Sequence, residues 1–113
     1  MAGAGEMRER GRGASGIVRH GETSPAAMRE KARFVLDIMQ ARMRALGGTW
    51  PRITVIDVYA ALPIHGIVEE EILGAAGPAA VHGVHWYPSR PPIQGLEFEM
   101  DMRSVAREIV LSV

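Results

Sequence analysis

LEFEMDM, residues 96–102, alternates without a fault. Leu96, Phe98, Met100 and Met102 fall on one side of an extended chain and Glu97, Glu99 and Asp101 on the other, because successive strand side chains point to opposite faces. A strand with one apolar and one acidic face needs a core on the first side, so a sheet organises this fold. The tail REIVLSV reads as an extension of the strand past a bulge near Arg103.

The longest periodic segment starts at Ser24-Pro25. The serine hydroxyl can accept from a free N–H of a first helical turn, and proline suits a first position where the missing N–H costs nothing. Met28, Ala32, Val35, Met39, Met43 and Leu46 then recur at steps of three and four, with Phe34 and Ile38 widening the stripe. Arg33 and Asp37 are spaced to pair on the wet side. Gly47-Gly48 stops the helix by allowing positive φ. ITVIDVYA, residues 53–60, is β-branched and reads as a strand covered on both faces. Residues 64–76 fit a shorter helix with Ile64, Val68, Ile72 and Ala75 inward and Glu69, Glu70 and Glu71 in solvent. AAVHGVHWY, residues 79–87, is a further strand candidate, and the proline-rich loop PSRPPIQG follows it.

The order is therefore a short β, then α, β, α, β, β. This is an α+β protein: a mixed β-sheet with two helices packed on one face. On this reading the opposite face carries too many apolar side chains for water, so self-association through it is the physical expectation.

Composition narrows the function. The chain has 113 residues, with 13 Lys+Arg balancing 13 Asp+Glu, and no cysteine. Balanced charge argues against nucleic acid or an anionic membrane as partner. Absence of cysteine excludes disulfides, thiolate metal sites and a cysteine nucleophile. The opening MAGAGEMRERGRGAS has neither strand nor helix periodicity, and residues 1–15 read as a disordered leader before a single domain over residues 16–113. It also lacks the apolar core of a signal peptide, and no run is long enough to span a bilayer, which places the chain in the cytoplasm.

Three constellations compete for the chemistry. GIVRHGETSP, residues 16–25, resembles the first active-site string of the histidine phosphatases, with His20 as nucleophile. That mechanism needs a buried strand before the histidine, a second histidine and more arginine on one phosphate; only Ile17 and Val18 precede it, so the likeness is taken as coincidental. His82 and His85, three apart in an expected strand, point to opposite faces, and none of the four histidines has metal-ligand spacing. No metal and no cofactor is expected. The acidic row Glu97, Glu99 and Asp101 remains. Covered by another subunit, such carboxyls would have raised pKa values and could move protons. His82 and Arg90 are nearest in sequence to hold a substrate anion.

The order of elements, with GGTWPRITVIDVYA, AAVHGV and GLEFEMDM, resembles the reactive-intermediate deaminases of the RidA/YjgF family over about residues 16–102. The resemblance implies a chorismate-mutase-like fold, homotrimers with sites between subunits, and cofactor-free hydrolysis of small enamines or imines to a keto acid and ammonia. It implies a catalytic role for Glu97, the first glutamate of LEFE. The position of the family's carboxylate-binding arginine falls at Val81, so His82 or Arg90 would have to replace it. Glu69 stands where an asparagine is common. The family's first hairpin, which lends backbone to the site, shrinks here to ASG ending at Gly16, an atypical or truncated N-terminus. GIVRHGETSP then corresponds to the strand and entrance of the long helix, with His20 an exposed strand residue. The leading expectation is an imino-acid deaminase. The valine at position 81 keeps open a non-catalytic ligand-binding or scaffold trimer of the same fold.

Overall fold

The computed structural model describes residues 3–8, 13–107 and 109–112. Its sheet has four strands: β1 (Ala4–Gly5), β2 (Val55–Tyr59), β3 (His85–Tyr87) and β4 (Glu99–Arg103), in spatial order β1-β4-β2-β3. β4 is antiparallel to both neighbours, and β2 and β3 are parallel. This mixed α+β sheet is compatible with the chorismate-mutase-like architecture. No helix of the described residues is long and apolar enough to cross a membrane.

Helix α1 (Pro25–Ala45) starts as its sequence dictates: the Ser24 hydroxyl accepts from the Ala27 N–H at 3.1 Å. It buries Met28, Ala32, Val35, Leu36, Met39 and Met43 against Ile56, Val58, Met100 and Met102 of the sheet and against Phe98, which immediately precedes β4. Methionine suits such a layer, because its unbranched side chain fills irregular gaps between a helix and a twisted sheet. The stripe ends one turn earlier than expected, since Leu46 lies beyond the helix and is 75% exposed. Gly47, with φ of 76°, makes the turn. Arg33 does not pair with Asp37. Its guanidinium reaches Glu71 at 2.8 Å, and Arg29 binds Glu70, so the glutamate run faces the first helix as well as water.

The second helical stretch runs through α2 (His65–Ile67), a π turn (Val68–Ile72) and α3 (Leu73–Ala76). The wider turn has a packing reason: Ile67 and Ile72, five residues apart, are both buried, while Val68 and Ala75 are only half-buried. Two strand expectations shorten. Residues 77–82 form a 3₁₀ turn, and only His85–Tyr87 is extended. β4 ends at Arg103; the described residues of the tail form no strand, and Ile109, Val110 and Leu111 are exposed.

The largest correction concerns the N-terminus. Residues 1, 2 and 9–12 of the expected leader lie outside the described residues, but residues 3–8 are built into the fold. Ala4 pairs with Met100 and Gly5 with Glu99. Met7 then bridges Ile17 in antiparallel sense, flanked by Arg8 N–H to Gly16 O at 2.8 Å and Val18 N–H to Glu6 O at 2.9 Å. A hairpin is therefore present. Ile17 belongs to its returning arm, whereas Val18–Gly21 is a turn with Arg19 at φ 46°, so His20 is exposed in a turn rather than a strand.

The face of the sheet away from the helices is also unlike the expectation. Cross-strand register places Val55 opposite Arg103, Asp57 opposite Asp101 and His85, and Tyr59 opposite Glu99 and Tyr87. That surface is polar and ionisable, because the apolar members of β2, Ile56 and Val58, both point to the helices. An apolar sheet face thus supplies no drive for self-association.

Candidate functional site

The proline-rich loop returns over this polar face at the end of the sheet where β2 finishes and β4 begins. Between loop and sheet lies a cleft of about 300 Å³ lined by Tyr59, Ser89, Arg90, Pro91, Glu99 and Asp101, among others. Strand alternation delivers Glu99 and Asp101 to it, and the same alternation on β2 delivers Tyr59. Arg90 reaches back across the loop to Glu97, Nη1 to Oε2 3.5 Å, so Glu97 stands beside the cleft with its side chain 14% exposed.

The carboxyls of the cleft are chemically distinct. Burial pushes Glu99 above its ordinary value, and the charge of Asp101 adds to the effect. Asp101 is raised by burial and then by its contact with Asp57, against the Tyr59 hydroxyl, which donates to Oδ2 at 2.9 Å. Asp57, 1% exposed, goes the other way. Burial opposes its ionisation, but hydrogen bonds from Arg103 at 2.9 Å, from Asp101 and from His85 at 3.2 Å hold it below the usual carboxylate range. Two carboxyls opposite each other across a strand pair are thus pushed apart, Asp57 downward and Asp101 upward from the ordinary carboxylate range. Tyr59 is pushed up to about 12 by the Asp101 hydrogen bond and so stays a donor; its ring stacks on Tyr87 at 5.2 Å.

Of the residues singled out from sequence, the structure brings Glu97 and Arg90 together. Gly16 is buried in the hairpin, its carbonyl accepting from the Arg8 N–H at 2.8 Å, and it does not line the cleft. His82 is elsewhere. Its 3₁₀ turn packs on the turn Trp50–Arg52, which precedes β2, at the opposite end of the parallel β2–β3 pair. Val81 there is 83% exposed. His85 binds Asp57 and has no metal-binding company: no group of three or more His, Cys, Asp or Glu residues is arranged to hold an ion among the described residues.

Sequence reasoning missed Tyr59, Ser89 and the partnership of Asp57 with Asp101. Alternation within ITVIDVYA put Asp57 and Tyr59 on one face, but only the β2–β4 register shows what that face meets.

Residues 1–109 match the model of the family described as 2-aminomuconate deaminase CnbZ. A 2-amino-5-chloromuconate deaminase of Comamonas testosteroni is 39% identical over 95 residues, which is 84% of this chain and 37% of the relative. The chain therefore spans little more than a third of the length of the curated relative that it matches.

Proposed function

This chain belongs to the 2-aminomuconate deaminase CnbZ family, which is of the RidA/YjgF type, and from that premise we propose that it hydrolyses a 2-aminomuconate-type enamine acid to the corresponding keto acid and ammonia. The observation that carries the proposal is the Arg90–Glu97 pair standing beside a cleft lined by Glu99 and Asp101. In its imine tautomer such a substrate has an electrophilic carbon next to a carboxylate. Water adds to that carbon and loses a proton to the Glu97 carboxylate. Glu99, whose acid form burial favours, supplies a proton to the nitrogen. The nitrogen of the resulting carbinolamine takes a second proton, from the Glu97 acid, while the hydroxyl gives its proton to the Glu99 carboxylate; the C–N bond breaks, ammonia leaves, and the carbonyl remains with both carboxyls restored.

Arg90 binds the substrate carboxylate in this scheme. It is suited to the exchange because its bond to Glu97 is long and its side chain 72% exposed, so little is lost when a carboxylate takes over the guanidinium. Ammonia release from 2-aminomuconate by the wild-type protein tests the reaction directly. Arg90→Gln is expected to raise KM about 10–100-fold with kcat within about threefold, the loss of one charge-assisted contact. An unchanged KM removes Arg90 from the scheme, and no release by the wild type removes the scheme.

The proposed active form is a homotrimer with sites between copies. Its support is the RidA/YjgF type of the family, whose members form trimers with sites between subunits. Light scattering should read the mass of three chains, and the mass of one chain rejects the assembly.

A further inference from the structure

Glu6 and Lys31 are each 0% exposed, an unusual position for two charged side chains. Lys31 enters from α1 within the apolar stripe, and its Nζ lies 3.5 Å from Glu6 Oε2. Glu6 sits one residue past the last pair of the β1–β4 ladder, Gly5 with Glu99. Beyond that pair a second strand no longer offers β4 a carbonyl. The Glu6 carboxylate replaces it: Oε1 accepts the N–H of Glu97 and, at 3.1 Å, the N–H of Phe98. The Glu6 backbone carbonyl meanwhile accepts from Val18, which anchors Glu6 in the hairpin.

Burial of an ion pair is a poor way to gain stability, since desolvation of both charges offsets their attraction and apolar residues of the same volume do as well or better. An apolar pair, however, cannot accept two peptide N–H groups at the residue beside the cleft. We infer that Glu6 is a positioning residue for Glu97, with Lys31 as its buried counter-charge. The inference rests on the proposed role of Glu97. Glu6 is sealed from substrate and acts by fixing the Glu97 peptide, which aims the Glu97 side chain at Arg90 and the cleft instead of into solvent.

Two doubly substituted proteins separate positioning from support of the fold. Glu6→Gln with Lys31→Met removes both charges and keeps an oxygen acceptor at position 6. Glu6→Leu with Lys31→Met removes the charges and the acceptor together. Thermal melting verifies that each folds. The Gln/Met protein is expected to keep kcat for 2-aminomuconate within about threefold of wild type. The Leu/Met protein is expected to lose about 10–100-fold in kcat with KM little changed, the effect of losing hydrogen bonds to a charged acceptor. Amide hydrogen exchange gives the same answer without substrate: Glu97 and Phe98 N–H should exchange at least about tenfold faster in Leu/Met than in Gln/Met. Equal exchange at those two amides overturns the inference, as does equal kcat in the two proteins. If the wild type releases no ammonia, the reaction is rejected and the exchange contrast still decides the positioning. Should Leu/Met fail to fold, Glu6→Asp, which withdraws the acceptor by one methylene, takes its place with the same expectations.

Discussion

Glu97→Gln is expected to lower kcat for ammonia release from 2-aminomuconate by about 10²–10⁴-fold, the usual contribution of a positioned proton acceptor, with KM changed by less than about threefold. The substitution is nearly isosteric. An amide oxygen at the same place still accepts from Arg90 at the distance of the present pair, 3.5 Å, so substrate binding and local structure are retained. Its peptide N–H still meets the Glu6 carboxylate. What disappears is the capacity to take a proton from water. Initial rates at several substrate concentrations, with melting temperature as control, read the split. A kcat equal to wild type would remove Glu97 from the reaction and leave Glu99 and Asp101 as the carboxyls to examine.

Lys31→Met should reduce folding stability by about 3–5 kcal/mol near neutral pH, because it leaves a carboxylate buried without its counter-charge. Urea titration gives the loss as a shift in midpoint at unchanged slope. Its pH dependence identifies the source. Burial pushes Glu6 above the ordinary 4.5, against the hydrogen bonds from Phe98 and Glu97 and the charge of Lys31. A carboxyl with a folded pKa above its unfolded one contributes stability that is complete below the unfolded value and is lost as pH rises through the folded value. Removing Lys31 takes away one of the opposing influences and carries the folded value higher still. The deficit should therefore be greatest at neutral pH and shrink as pH falls toward 4.5. A deficit of the same size at both ends of that range would mean that lost packing of the lysine stem, not the carboxylate, is responsible.

The elements legible in the sequence were those whose signal is local. Ser24-Pro25 and the methionine stripe carry α1 within one stretch of chain, and the alternation of LEFEMDM carries both the buried face of β4 and its acidic face. Elements that depend on distant partners were not legible. Residues 3–8 contain three of the weakest strand formers, Gly3, Ala4 and Gly5, yet Gly5 is suited to its place because a Cβ there would come within 2.5 Å of Leu96 Cδ1. Lys31 sat in plain sight at a buried helical position, three residues from Met28 and four from Val35. A cation there signals a buried acid, but no spacing rule says that the acid is Glu6. The polar sheet face had the same difficulty: Asp57 and Tyr59 were visible, while their partners Asp101, His85 and Tyr87 came only with the strand register. Of the candidate site residues, Glu97 and Arg90 follow from one short loop and lie together. His82 was placed beside them by nearness in sequence, which a 3₁₀ turn at the other end of the sheet undoes.

The contact between Glu6 and the peptides of Glu97 and Phe98 joins residues 91 and 92 positions apart. Closing a loop of that length is entropically expensive and is rewarded only after the intervening helices and β2 have formed. During synthesis, Glu6 would wait at the hairpin until β4 had been translated, since its acceptor oxygen has no other strand to serve. The aim of Glu97 therefore depends on a contact between segments far apart in sequence, which neither segment can form by itself. Activity recovered during refolding should accordingly lag behind helix formation.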